Sequence, residues 1–138
     1  MNALRTIGQE ETPEWIALLL REGPHPGESV PEHPPRFPVP FRIRTPLQGA
    51  YLYLVYRDRV HAYGRIGRVE RHAGSRVGTF AQPVLPGEAI VLDGPATPFP
   101  YPLACRGFAG IRYAPERFHE LPYDVARRVM QRLRLWPA

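Results

Sequence analysis

The residues best suited to chemistry in this chain are guanidiniums. All 18 basic residues are arginine and none is lysine. Arg42, Arg44, Arg65, Arg68 and Arg71 recur through one stretch, interleaved with Tyr51, Tyr53, Tyr56 and Tyr63. A guanidinium is a flat fork that meets a phosphate with two hydrogen bonds and stacks on a base or an aromatic ring, which the point charge of lysine cannot do. Tyrosines on a sheet add faces on which splayed bases stack. The plainer account is a solvated strand face, with Asp58 and Glu70 balancing the arginines, and tyrosines that simply suit strands. Arginine in place of lysine also follows from nucleotide composition, which carries no information about fold.

Other reactive groups are sparse. His25, His33, His61, His72 and His119 are scattered without metal-ligand spacing, so neither a metal nor a cofactor is expected. Cys105, the one cysteine, excludes an internal disulfide; beside Arg106 it is a candidate nucleophile, and between apolar neighbours a small core residue. Glu10, Glu11 and Glu70 are the candidate general bases, with no paired acid in view. In Cys105-Arg106-Gly107-Phe108-Ala109-Gly110 two glycines bracket an aromatic, which suits close approach of a ligand to Phe108 or a strand bulge.

Charge is uneven. Residues 1–40 hold three arginines against six acids, and residues 41–138 hold 15 against seven, so the net +5 is a basic C-terminal portion joined to an acidic start. The 138 residues suit one domain, 1–138, and 43% hydrophobic content suits one core. No apolar run approaches the roughly 20 residues of a membrane span, and no leader pattern is seen. A soluble, cytoplasmic protein with no membrane contact is the expectation.

The elements that must position these groups are mainly β. Thr12-Pro13-Glu14 is a helix start before Trp15–Leu20, and Gly23-Pro24 a stop. Seven prolines from Pro24 to Pro40 predict an extended loop, 23–40, covering one opening of a barrel. Phe41-Arg42-Ile43-Arg44 alternates as a strand with one arginine face. Ala50–Tyr56 reads as a buried strand, Arg57-Asp58-Arg59 as a tight turn and Val60–Glu70 as the returning arm, with Gly64 and Gly67 marking a bulge or bend. Pro86-Gly87 is a turn before a strand Ala89–Leu92, Gly94–Pro102 a second proline-rich loop, and Phe108–Tyr113 the closing strand. A last helix, about 122–135, starts at Pro122, with Val125, Val129 and Leu133, joined by Ala126 and Met130, at its core face and arginines elsewhere. The whole is a mainly β (α+β) chain, a small barrel about 41–113 with an N-terminal and a C-terminal helix.

Two short patterns, Gly87-Glu88-Ala89-Ile90-Val91 and Gly64-Arg65-Ile66-Gly67-Arg68-Val69, preceded by a helix, make Trp15–Tyr113 similar to the PUA-like barrels, the group of PUA, ASCH and EVE domains. That resemblance implies a PUA-like β-barrel binding RNA or a modified nucleobase in a cleft between barrel and helix. The Gly-x-Lys-x-x-Glu-x-Arg element usual in ASCH proteins is absent, since Arg21-Glu22-Gly23 runs into the proline loop and the chain has no lysine. The expected ligand is therefore RNA or a nucleotide-like molecule, with Arg42, Arg44, Arg65, Arg68 and Arg71 on phosphates and Tyr63 or Phe108 on a base. A nucleoside-acting hydrolase in the same cleft and an interaction module, a homodimer through the last helix, stay open as alternatives.

Overall fold

The structure of the protein is a computed structural model that describes residues 1–7, 36–73 and 86–137. The expected helix at Thr12–Leu20 and most of the 23–40 loop lie outside the described residues. Seven strands form the mostly β architecture among them: β1 (Asn2–Thr6), β2 (Arg36–Val39), β3 (Tyr51–Tyr56), β4 (Arg59–His72), β5 (Gly87–Leu92), β6 (Thr97–Ala104) and β7 (Ile111–Ala114). A 3-10 turn, Phe118–Glu120, and one helix, α1 (Tyr123–Arg132), follow.

β3 and β4 make the expected hairpin. Its two-residue turn places Arg57 and Asp58 at φ +49° and +58°, the left-handed pair that matches the twist of the flanking strands. β4 runs on for 14 residues and is shared. Its first part pairs with β3 on one side and β6 on the other; its second part pairs with β5. β5 and β6 thus run antiparallel along one edge of β4, interrupted at 93–96. Two bulges bend β4. The first, at His61, shifts register against both β3 and β6, and the second, at Gly67, against β5. Each bulge swaps the side-chain faces, so Val60 and Tyr63 face one layer while Ala62, Ile66 and Val69 face the other.

The sheet order is β2-β5-β4-β3-β1-β7, with β1 parallel to β3 and antiparallel to β7. Three strands separate β1 from β2, yet the Arg5 guanidinium lies 5.5 Å over the Phe37 ring and its Nη2 donates to the Pro38 carbonyl at 3.3 Å. Such contact requires the sheet to curl until its parts meet. Ala3, Phe37, Leu52, Leu54, Ile66, Ile90 and Leu92 fill the inside of the curl. Leu4, Tyr53, Val55, Val60 and Leu103 pack outward against Phe118, Ala126, Val129 and Met130.

Several expectations are corrected. The curled sheet is a half-barrel that recruits β1 and β2, both outside the expected 41–113 interval. β1 carries no alternation, because Ala3 and Leu4 are buried on opposite faces and Asn2 is a buried tie: its Nδ2 donates to the Glu116 carbonyl at 2.8 Å, and its Oδ1 accepts the Tyr51 N–H at 2.9 Å. No strand forms at the expected Phe41–Arg44; β2 precedes it at Arg36–Val39, where Phe37 and Val39 are buried and edge position tolerates Pro38. Phe41–Arg44 instead runs irregularly past Glu88, whose carboxylate accepts the Ile43 N–H. Gly94–Pro102 is no loop: Pro98, Pro100 and Pro102 alternate with Phe99, Tyr101 and Leu103 in β6, whose residues 99–102 bow out opposite His61. On α1 the core face is Ala126, Val129 and Met130 with Leu133, and Val125 is 39% exposed.

Two glycines permit close approaches. A Cβ at Gly87 would lie 2.0 Å from the Val39 carbonyl oxygen and 2.6 Å from the Phe41 nitrogen, both backbone. A Cβ at Gly64 would meet only the Leu92 side chain, its nearest atom at 2.5 Å. Backbone at a strand pairing cannot give way as a leucine methyl can. Gly87→Ala is therefore expected to lower the unfolding free energy by about 3 kcal/mol or more and Gly64→Ala by about 1 kcal/mol. Urea titrations showing equal losses would contradict this ranking.

Candidate functional site

Strand alternation builds an aromatic cluster on the outer face of the hairpin. Tyr53 and Tyr63 are directly opposed, and Tyr51 faces Arg65. β6 adds Phe99, 6.2 Å from both Tyr53 and Tyr63, and Tyr101, 5.0 Å from Phe99. The chain then returns over this face through the 3-10 turn. Phe118 meets Tyr53 edge-on at 5.1 Å, and the His119 imidazole stacks on Tyr63 at 4.2 Å and 14°. Tyr51 lies 4.6 Å from the same imidazole. The turn is held by the Tyr101 hydroxyl, which is shared between the carbonyls of Phe118 (3.0 Å) and Leu121 (2.8 Å). Tyr123 extends the band 6.0 Å beyond Tyr101 and is 44% exposed.

The polar centre is Tyr53 and His119, whose hydroxyl and Nδ1 are 2.8 Å apart. Burial raises the Tyr53 phenol, so it stays protonated and donates. Burial lowers the His119 imidazole, Glu120 opposes that shift and Arg117 adds to it. With Nδ1 accepting, the proton sits on Nε2, 3.8 Å from the Glu120 carboxylate. Arg117 lies 5.6 Å over the outer side of Tyr51 and 3.6 Å from Glu120.

The arginines named from sequence divide into groups. Arg65 lies beside Tyr51 and is 4.0 Å from Asp93. Arg68 is paired with Glu70 at 3.0 Å, and Arg36 reaches the same carboxylate at 3.2 Å. Arg71 is exposed opposite Glu88, and the irregular segment bearing Arg42 and Arg44 passes the same glutamate through Ile43. Tyr63 belongs to the cluster, with one face of its ring taken by His119. Phe108 lies apart from it, its N–H on Thr6 Oγ1 at 3.1 Å and Arg112 over its ring at 5.8 Å.

The reactive candidates fare differently. Cys105 is fully buried, and burial, with Asp58 nearby, pushes its thiol up to about 12, so it is a core residue and not a nucleophile. The Arg68 hydrogen bond holds the Glu70 carboxyl below its usual range, which makes it a poor base. Glu10 and Glu11 lie outside the described residues. No three His, Cys, Asp or Glu side chains gather to hold a metal among the described residues, and no described helix is long and apolar enough to cross a membrane. From sequence, Phe99 and Tyr101 carry no role, and His119 is only one of five scattered histidines. The alternation Phe99-Pro100-Tyr101-Pro102-Leu103 was the available signal for the first two; nothing local marks His119.

A pH dependence follows from the burial of His119. Its folded imidazole binds a proton less readily than an unfolded one, so the unfolded state gains protons first as pH falls. Stability is fully present above about pH 6.5 and declines below it, towards the lowered folded value. His61, lowered by burial and by Arg59, acts in the same sense. His119→Gln should flatten this decline in urea titrations between about pH 7.5 and pH 5; an unchanged slope would show that the His119 environment does not favour the neutral ring.

No family model, curated protein or solved structure matches this chain.

Proposed function

We propose that the protein binds RNA or a nucleotide-like ligand, without turning it over, across the outer aromatic face. The observation that carries this reading is the half-buried band Tyr51, Tyr63, Phe99 and Tyr101, extended by the exposed Tyr123, with Arg65 paired across the hairpin from Tyr51 and Arg117 over the Tyr51 ring. Rings supply faces and edges for bases, and guanidiniums supply forks for phosphates. Both arginines are available: their side chains are 62% and 58% exposed, and their partners Asp93 and Glu120 stand at 4.0 and 3.6 Å. Exposed pairs of this kind contribute at most about 1 kcal/mol, so a phosphate displaces them at little cost.

A PUA-like barrel remains our reading of the fold. In its support, Gly87–Val91 opens β5 and Gly64–Val69 spans the Gly67 bulge of β4. A cytoplasmic location accords with RNA as ligand. The hydrolase alternative is weakened by the poor basicity of Glu70. A second reading, self-association through α1, is favoured by Tyr123 and Val125, 44% and 39% exposed on its first turn. A concentration-dependent mass in sedimentation, lost on Val125→Asp, would support it.

Single-stranded RNA should bind in the micromolar range or more weakly, as contacts without base readout do. Arg65→Ala with Arg117→Ala should weaken it about tenfold at low salt and reduce the salt slope by about one to two. Arg42→Ala with Arg44→Ala tests the segment beside Glu88 in the same assay. No RNA affinity at low salt, or wild-type affinity in the Arg65/Arg117 variant, would overturn binding at this face.

A further inference from the structure

We propose that the end of the molecule where the β3–β4 turn meets the C-terminal end of α1 is a second surface, one that holds the phosphate backbone of a nucleic acid. Three chain segments are tied together there. The Asp58 carbonyl accepts the Cys105 N–H at 3.0 Å, and its carboxylate accepts the Gly107 N–H at 3.4 Å. The Arg106 N–H then donates to the Leu135 carbonyl at 2.6 Å, and its guanidinium donates to the Arg134 carbonyl at 3.1 Å. These ties bring Arg57, Arg59, Arg106 and Arg134 to one end, all exposed.

Among the described residues no carboxylate forms an ion pair with any of the four; the ion pairs engage Arg36, Arg65, Arg68, Arg117 and Arg132. Asp58 is the one carboxylate on the three segments, and one of its oxygens is committed to Gly107. The negative end of the α1 dipole suits Arg106 and Arg134. It does not account for Arg57 and Arg59, which sit on a hairpin of the sheet.

The backbone points the same way. Among the described residues the non-glycine positions with positive φ are Arg57 (+49°), Asp58 (+58°) and Arg134 (+60°), and all three lie at this junction. A hairpin turn of this type and a residue just past a helix end favour glycine or asparagine. Arginine occupies two such positions at a conformational cost, so the local conformation does not explain its presence. A bound polyanion does.

Nucleic acid fits better than a membrane or an acidic protein. Arg57 lies 5.3 Å over the Tyr56 ring, and Arg127, on the neighbouring helix, 5.5 Å over Trp136. Guanidiniums held over rings keep their charge and donors for a phosphate, and the rings are half-buried beside them. The exposed large apolar residues among those described are Met1, Phe41, Tyr123 and Val125, none of them at this end, so nothing here is suited to enter a bilayer.

This surface shares no residue with the aromatic face. Arg57→Gly with Arg134→Gly is the informative variant, because both φ values suit glycine and the fold should keep or gain thermal stability. The probe is a fluorescein-labelled single-stranded oligouridylate of about twenty residues. At low salt the variant should bind about fivefold more weakly, with the salt slope reduced by about one to two. In the wild type, the oligonucleotide should also raise the imidazole pKa of His61, read by NMR, since a phosphate would offset Arg59, whose Nη2 is 3.4 Å from that ring. Wild-type affinity in the glycine variant would overturn the proposal. So would equal binding of wild-type protein to poly-glutamate or to vesicles of mixed phosphatidylserine and phosphatidylcholine, because it would remove the assignment to nucleic acid. Loss of affinity in the glycine variant with none in the Arg65/Arg117 variant would sink the aromatic-face reading and sustain this one; the reverse pattern would do the opposite.

Discussion

Pairing along β4 is the constraint on which the rest of the molecule depends. A straight strand of 14 residues could not be paired by β3 and β6 at one end and by β5 at the other while the sheet curls upon itself. Extra residues at His61 and Gly67 solve this. Each adds local twist and reverses which side chains face inward. The reversal at His61 sets Val60 and Ala62 on opposite faces, and the reversal at Gly67 lets Val69 join Ala62 and Ile66 in the inner core. The curl then delivers β2 to β1, and the buried guanidinium of Arg5 can lie on Phe37. An arginine in that position tolerates burial because its charge is spread over a plane that both stacks and donates.

The same geometry fixes what the outer face can do. Between the two bulges Tyr63 is held opposite Tyr53, and β6 must bow out past His61 to rejoin its partner at Leu103. That bow places Phe99 and Tyr101 over the hairpin instead of beside it. Two of the cluster's tyrosine hydroxyls, on Tyr53 and Tyr101, point to the returning chain. The 3-10 turn answers both, with the His119 nitrogen for one and the Phe118 and Leu121 carbonyls for the other. Packing of rings and pairing of polar atoms therefore select one position for the turn. That position in turn sets where Arg117 lies relative to Tyr51.

Legibility in the sequence followed the range of the forces involved. The hairpin turn at Arg57-Asp58, the glycine bulge in β4 and the helix after Pro122 are decided by nearby residues, and they read correctly, while the strand expected from Ala89 begins two residues earlier, at Gly87. Tertiary competition decided the rest. Phe41-Arg42-Ile43-Arg44 alternates as well as Arg36-Phe37-Pro38-Val39, but Phe37 and Val39 find a core and Phe41 does not. The Phe99–Leu103 prolines looked like a loop because proline cannot donate; at the margin of a sheet that donor is not needed. β1 and His119 depend on partners about 50 to more than 100 residues distant, Tyr51 and Glu116 for Asn2 and Tyr53 for His119, and no local pattern announces them. The arginine cluster was legible as composition but not as geometry. Arg65, Arg68 and Arg71 share a strand, and the second bulge and their different acidic neighbours separate them.

That separation bears on how a chain whose cations are all arginine divides its labour. Arg5 is a structural clasp, and Arg36 and Arg68 are spent on Glu70. Arg132 joins α1 to the end of β7 through Glu116. Arginines locked to carboxylates in this way are poor hosts for a phosphate, since the ligand must first displace an anion already in place. Arginines above rings or beside carbonyls keep their forks accessible, because neither a ring nor a neutral oxygen cancels the charge. Arg57 and Arg106 are of that second kind, and Arg117 stands between the two, over Tyr51 and loosely beside Glu120. The distribution of partners, and not the count of positive charges, therefore separates the surfaces able to receive a polyanion from those that hold the fold together.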